Sequence, residues 1–182
     1  RIMFFLGFCP DKEANVKIRK ISSELGKVFD DLDISVRWSK PDGYHMVMIP
    51  IDVKLPFIEI PLLKYKLLRY CFSPFKVVFN TSRLGISRKY KELIYLDVKE
   101  GGEEMRKMYL ELRGFLGKSD DTNFIPHLVL GRVSKDLCSQ EYMNISRDLS
   151  RVAKGLDISD IHFYVNALKI IKSTPDGLEI VG

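Results

Sequence analysis

The spacing of apolar residues along the chain predicts a mixture of strands and amphipathic helices. Alternation of apolar and polar residues, or a short continuous apolar run, is typical of a β-strand, whereas apolar residues every three or four positions indicate a helix. The first helix shows the second pattern, because Ile18, Ile21, Leu25 and Val28 share one face. The predicted strands are 2–8, 34–38, 44–53, 75–79, 93–98, 124–133, 161–171 and 178–181, and the predicted helices are 11–32, 62–71, 103–116 and 139–154.

The order of these elements is β-α-β-β-α-β-β-α-β-α-β-β, with short connections that favour antiparallel pairing and an α+β fold. No stretch rich in Gly, Ser or Pro separates one part from another, so we predict a single domain over residues 1–182. Pro56 and Pro61 leave the start of the second helix open. The segment 119–123 is polar and predicts a loop.

Two of the predicted strands carry a histidine in the same local pattern. His45 and His127 are each followed by an apolar residue, a valine and another apolar residue. Because residues i and i+2 of a strand share a face, His45 and Val47 point one way, and so do His127 and Val129. Each strand follows a strand and a helix, which predicts two lobes related by approximate duplication. The two histidines are therefore a candidate acid/base pair, although the pattern alone leaves a structural role open for each.

A cationic segment at 80–91 separates two predicted strands. Arg88 and Lys89, together with Arg83 and Lys91, are candidates to contact a phosphate backbone, and Tyr90 is a candidate to stack on a base. An ordinary exposed hairpin loop with solubilising charge explains the same residues equally well.

Composition and charge narrow the class of protein only modestly. Of the 182 residues, 46% are hydrophobic and 11% aromatic, which is enough for a core and argues against disorder. The net charge of +5 is compatible with an anionic partner such as RNA, but ordinary proteins also reach it.

The cysteines and the N-terminal run bear on the cellular setting. Cys9, Cys71 and Cys138 are widely spaced and odd in number, so we expect neither a disulfide framework nor a zinc site, and a reducing cytoplasm is the simplest location. The apolar run at 2–8 is too short to span a membrane and lacks a signal-peptide cleavage pattern, so we expect no membrane partner. Since the chain opens on Arg1 and not Met, we expect a few residues to precede it.

Several of these segments resemble one family, the two-histidine phosphoesterases of the 2′-5′ RNA ligase and RNA 2′,3′-cyclic phosphodiesterase type. That family carries one His-x-Thr/Ser-x strand in each of two lobes, facing each other across a cleft. The likeness extends over essentially the whole chain. It is carried by the opening strand at 1–5, the segment 36–41 ahead of His45, the segment 95–98, the segment 124–133 with an arginine five residues after its histidine, and the tail at 172–177.

The resemblance implies a bilobal α+β fold, with two antiparallel-sheet lobes and flanking helices around a central cleft. It also implies that His45 and His127 act as general acid and base without metal or cofactor. By the same resemblance, Arg132 adds positive charge for the phosphate. Tyr44 and Trp38 are candidates to stack near the site, although core packing explains both residues better.

One departure from the family concerns its two hydroxyl positions. Both are valine here, at Val47 and Val129, which are placed to line the substrate site. In the family these hydroxyls help to bind the phosphate, and valine can neither donate nor accept a hydrogen bond. Two such losses, at about 1.5–3 kcal/mol each, would weaken binding of the charged group about a hundredfold or more if they added.

Three functions therefore remain open. The first is an enzyme that opens RNA 2′,3′-cyclic phosphates or joins 2′-5′ linkages, acting as a monomer on RNA ends or oligonucleotides. The second is a non-catalytic or weakly active RNA- or nucleotide-binding homologue, which the paired valines favour. The third is a two-histidine phosphodiesterase acting on cyclic or 2′-5′-linked oligonucleotides.

Overall fold

The computed structural model describes residues 2–118 and 123–182, and within these ranges it contains four α-helices and nine strands. The helices are α1 (Lys12–Asp31), α2 (Pro56–Leu67), α3 (Gly102–Phe115) and α4 (Ser139–Lys154). The strands are β1 (Met3–Phe8), β2 (Val36–Trp38), β3 (Met46–Ile51), β4 (Phe75–Leu84), β5 (Leu93–Glu100), β6 (His127–Val133), β7 (His162–Val165), β8 (Lys169–Thr174) and β9 (Gly177–Ile180).

The strands form two antiparallel sheets, one for each lobe. Sheet A has the order β3-β1-β8-β9, and sheet B has the order β2-β6-β5-β4-β7. The lobes exchange strands, because β2 precedes β3 in the chain but pairs with β6, while β8 and β9 follow sheet B in the chain but complete sheet A. One hydrophobic core runs through both lobes as a result. The predicted bilobal α+β fold is confirmed.

A unit of strand, helix and histidine strand occurs once in each lobe. In the first unit β1 leads through α1 to β3, and in the second β5 leads through α3 to β6; in both, the histidine strand pairs antiparallel with the strand that opens the unit. Each histidine strand also contains a β-bulge at the same place. The extra residue is Met48 in β3 and Leu130 in β6, three residues after the histidine in both cases.

N-terminal capping and one buried face stabilise the long helices α1 and α4. The side chain of Asp11 accepts a hydrogen bond from the Ala14 amide at 2.8 Å and caps the start of α1. A capping box formed by Cys138 and Glu141 opens α4. The face of α1 that was predicted to be buried is buried, including Ile18 and Leu25 at 0% exposure.

The second helix differs from its prediction at both ends. It begins at Pro56 and ends at Leu67, whereas the apolar pattern predicted 62–71. Proline suits the first helical position because its missing N–H needs no partner there. The carboxylate of Glu59 accepts the backbone amides of Lys54 and Leu55 and fixes this start. Pro61 lies inside the helix.

Two strand boundaries also differ from the sequence prediction. β4 continues to Leu84, because Ser82, Arg83 and Leu84 pair with β5. The predicted strand 161–171 is two strands, since the chain leaves sheet B after Val165 and enters sheet A at Lys169. Apart from Asn123, the polar loop predicted at 119–123 lies outside the described residues.

Candidate active site

His45 lies immediately before β3, on the face of sheet A that looks toward the other lobe. Its Nδ1 is 2.7 Å from the carbonyl oxygen of Gly43. The imidazole stacks on the buried ring of Phe5, with ring centroids 5.0 Å apart and an angle of 27° between the planes. The carbonyl and the aromatic ring together fix the orientation of the histidine.

His127 repeats this arrangement on sheet B. Its Nδ1 is 2.7 Å from the carbonyl oxygen of Ile125, which is again the residue two positions earlier. The ring contacts Tyr95 of β5 edge to face, with centroids 5.8 Å apart. Both histidines are half-buried, whereas Met46 and Leu128, which follow them, are fully buried. The predicted alternation is confirmed, with the histidine and valine of each strand half-buried and the apolar residue between them in the core.

The carbonyl contacts settle which nitrogen of each ring is protonated in the neutral form. A carbonyl oxygen can only accept, so Nδ1 of each histidine carries the hydrogen and donates it. In the neutral imidazole Nε2 is then the basic nitrogen. Each histidine therefore presents an Nε2 that can accept or deliver a proton.

Burial lowers the pKa of both histidines, and neighbouring positive charge lowers the pKa of His127 further. For His45, burial lowers the pKa and the hydrogen bond to Gly43 partly opposes this shift. For His127, burial is again the largest cause, while the nearby charges of His45 and Arg132 lower the pKa further. The two imidazoles are thus close enough to interact electrostatically, as the contact between β3 and β6 also indicates.

A depression of about 470 Å³ brings residues of both lobes together beside His45. His45 from the first lobe lines it, and so do Val129 and Arg132 from β6. Trp38 and Lys40 form part of its wall. Neither histidine strand has a hydroxyl two residues after its histidine, because half-buried valines occupy positions 47 and 129. Val47 and His127 do not line this depression.

The bulge in β6 accounts for the position of Arg132. Leu128 and Leu130 point into the core, and strict alternation would send Arg132 there as well. The extra residue at Leu130 reverses the alternation, so that Val133 is buried and the Arg132 side chain is 46% exposed. Its Nη1 lies 3.3 Å from a carboxylate oxygen of Glu92.

A second arginine, which the sequence offered only as one of four cations in the segment 80–91, is hydrogen-bonded to the residue that pairs with His127. Arg83 of β4 donates from Nε to Asp97 at 2.9 Å. Asp97 pairs with His127 across β5 and β6, but its carboxylate turns toward β4 and also accepts the Thr81 amide at 2.7 Å. Only the strand register brings this pair next to the histidine.

The structure does not bring the remaining predicted site residues into the cleft. Tyr44 is 3% exposed and belongs to the core, where burial raises the pKa of its hydroxyl. Arg88, Lys89 and Tyr90 lie in the turn between β4 and β5, where the Lys89 amine sits 5.4 Å from the Tyr90 ring centroid. They do not line the depression that holds His45, and their contact with substrate stays a prediction.

The third histidine lies away from this cleft. His162 is exposed on β7, the edge strand of sheet B, three strands from β6. Within residues 2–118 and 123–182, no group of three or more His, Cys, Asp or Glu side chains could hold a metal ion. In the same ranges, no helix combines the length and the apolar character needed to cross a membrane.

Comparison with known proteins identifies the fold. TT0787 of Thermus thermophilus superposes with a TM-score of 0.69 at 11% identity, covering 99% of this chain and 95% of that one. E. coli LigT in complex with phosphate gives 0.65 at 14% identity, with coverage of 99% and 94%. Usb1 of Kluyveromyces marxianus gives 0.59 at 12% identity, with coverage of 99% and 96%. No protein-family model matches the sequence, and no curated protein matches it significantly.

These likenesses define the class of fold. The chain has the bilobal fold of the LigT-like two-histidine phosphoesterases, and the structural resemblance expected from the sequence is confirmed. At 11–14% identity the agreement concerns the fold. The chemistry has to be argued from the residues of the site.

Proposed function

We propose that this chain is a phosphoesterase that opens 2′,3′-cyclic phosphates at RNA ends, with His45 and His127 as its general acid and base. The observation that carries the proposal is the repeated histidine geometry. Each ring is held through Nδ1 by the carbonyl two residues earlier, which leaves Nε2 as the reactive nitrogen. Two such groups from opposite lobes suit a reaction that needs a base on one side of a phosphate and an acid on the other.

In the proposed hydrolysis one neutral histidine removes a proton from water as the water oxygen attacks phosphorus. The bond from phosphorus to the ribose 3′ oxygen breaks, and the other histidine, protonated at Nε2, gives its proton to that oxygen. The product carries a 2′-phosphate and a 3′-hydroxyl. Arg132 lies beside His45 and Val129 in the same depression and is placed to stabilise the negative charge on the phosphate. If the 5′-hydroxyl of a second RNA attacks phosphorus in place of water, the histidines keep these roles, the bond to the 3′ oxygen breaks, and a 2′-5′ linkage forms. Cleavage of that linkage by the 3′-hydroxyl is the reverse step, in which the two roles exchange.

Single substitutions of the histidines test this proposal. A short RNA ending in a 2′,3′-cyclic phosphate is incubated with the wild type, His45→Ala and His127→Ala in the presence of a chelator. We expect the wild type to form the 2′-phosphate and each variant to lose at least about a hundredfold in rate, since general acid–base catalysis contributes about 10²–10⁴-fold. His162→Ala is the matched control, because that histidine lies on β7 away from the cleft. Full turnover by either cleft variant would refute the assignment.

A second function is favoured by Val47 and Val129. With apolar side chains at both half-buried positions of the cleft, the site could bind RNA ends or nucleotides and turn them over slowly or not at all. Saturable binding of a short RNA 3′-phosphate without product after long incubation would select this function. A panel that adds 2′-5′-linked and cyclic oligonucleotides separates a change of substrate from a loss of catalysis.

A further inference from the structure

A guanidinium held by Asp97, the residue that pairs with His127, takes no part in the proposed reaction. Arg83 pairs with Tyr95 in the strand register, and Tyr95 pairs with Val129, so the three residues form one row across sheet B. Because neighbouring strands are about 4.8 Å apart, the backbone of Arg83 lies roughly 10 Å from that of β6. The side chain of Arg83 reaches Asp97, which pairs with His127 across β5 and β6.

Asp97 fixes the Arg83 side chain through one nitrogen only. The carboxylate accepts Nε of Arg83 at 2.9 Å, while its other oxygen is occupied by the Thr81 amide. Across residues 2–118 and 123–182, no acceptor is bonded to either terminal nitrogen of Arg83, whose side chain is 56% exposed. The two terminal amino groups thus remain as a fork, the geometry that guanidinium uses for bidentate recognition of phosphate.

Arg83 and Tyr95 also separate two depressions. One, of about 830 Å³, reaches Asp97, Ile125 and Pro126 next to His127. The other, of about 930 Å³, lies between the open end of β4, α4 and the segment 154–159. The second contains Lys154 besides Arg83 and one acidic residue, Asp157, and it is large enough for a nucleotide.

We propose that Arg83 binds the phosphodiester on the 5′ side of the nucleotide that carries the cyclic phosphate, and that the depression between β4 and α4 receives the preceding nucleotide. This inference rests on the proposed function. A chain that ends in a cyclic phosphate continues only on its 5′ side, so a second phosphate near His127 belongs to that neighbour. The substrate class is then an RNA oligonucleotide in preference to a mononucleotide 2′,3′-cyclic phosphate.

The test compares adenosine 2′,3′-cyclic phosphate with an adenosine trinucleotide ending in the same group. We expect Arg83→Gln to lower kcat/KM for the trinucleotide about 10- to 100-fold, because the variant loses a hydrogen bond to a charged group. The kcat/KM for the mononucleotide should stay within about twofold of the wild-type value. Arg151→Gln makes the same change of charge at an exposed arginine of α4 that does not line the depression, and neither substrate should respond to it. An equal loss on both substrates, or none, overturns the inference.

Two further measurements make the result independent of the folding of the variant and of turnover. Replacing the trinucleotide's last internucleotide phosphate by a neutral methylphosphonate should lower wild-type kcat/KM to the level of Arg83→Gln, and should change the variant little. If the wild type hydrolyses neither substrate, the proposed function fails. Equilibrium binding of the trinucleotide 3′-phosphate then tests the role of Arg83. Arg83→Gln should bind it about tenfold or more weakly, and binding equal to wild type overturns the inference.

Discussion

At the scale of single residues, the two valines bear on how well the site can bind phosphate and leave the geometry of its histidines unchanged. Val47 and Val129 stand two residues after the histidines, half-buried on the cleft side of their strands. Threonine has nearly the same shape but adds a hydroxyl that can donate to a phosphate oxygen. The histidine geometry does not depend on these side chains, since it rests on the carbonyls of Gly43 and Ile125.

Val129→Thr should therefore raise activity, and Val47→Thr should add to it. A hydrogen bond to a charged group contributes about 1.5–3 kcal/mol, so we expect kcat/KM for the cyclic phosphate to rise about tenfold or more at each position. The matched control is Val36→Thr, a half-buried valine on β2 that does not line the depression. Unchanged turnover in the Val47→Thr, Val129→Thr double variant would mean that the phosphate does not contact these positions.

At the scale of elements, the bulged histidine strands organise the site, and β3 depends on one glycine. Gly7 of β1 pairs with Val47 next to the bulge, and a Cβ at Gly7 would collide with the carbonyl oxygen of Met46. A side chain there must push β3 away from β1. Because His45 directly precedes β3, such a shift moves the imidazole relative to His127.

Gly7→Ala should thus lower both stability and turnover. We expect a loss of about 1–3 kcal/mol in the free energy of unfolding, the usual cost of overpacking, measured by urea denaturation alongside kcat/KM. Gly114→Ala is the control, because a Cβ at that position in α3 meets nothing within 4 Å. It should leave turnover unchanged and gain up to about 1 kcal/mol. Wild-type stability and turnover in Gly7→Ala would show that β3 tolerates the displacement.

The same elements explain how far the sequence could predict the site. Alternation is enough to place His45 and His127 on one face each, because that inference needs only a period of two. It cannot bring Arg83 to Asp97, the residue that pairs with His127, since that placement depends on the register of β4, β5 and β6. The polar segment 80–84 has the composition of a loop, yet pairing with β5 and the Asp97 carboxylate keep it extended.

At the scale of the whole molecule, His45 and His127 can act as a pair only because the two lobes pack against each other. Each lobe contributes a strand, a helix, a bulged histidine strand and an Nδ1 contact of the same length. The halves differ in charge, however. Five residues after the histidine, the second lobe has Arg132 and the first has Pro50. Arg132 and Arg83 both lie on sheet B. The cations proposed to bind the scissile phosphate and the phosphodiester on its 5′ side therefore come from one lobe.

The pH dependence of turnover follows from the two histidines that the lobes bring together. Catalysis needs one histidine neutral and the other protonated, and this state is most populated between the two macroscopic pKa values of the pair. Burial lowers the pKa of both groups below the ordinary value near 6.5, and the charge of His45 lowers that of His127 further. The singly protonated state of the free enzyme therefore peaks below pH 6.5 and is lost as pH rises.

We expect kcat/KM for the cyclic phosphate to follow a bell with its maximum below about pH 6.5, falling toward tenfold per pH unit on the alkaline side. The profile of kcat should lie at higher pH, because a bound phosphate anion favours the protonated imidazoles and raises their pKa. Steady-state rates between about pH 4.5 and 8.5 at constant ionic strength measure both profiles, with unfolding monitored at each pH as the control. A kcat/KM that is flat or rises from about pH 6 to 8 would contradict a histidine with a lowered pKa as the general acid. The proton for the leaving oxygen would then have to come from bound water.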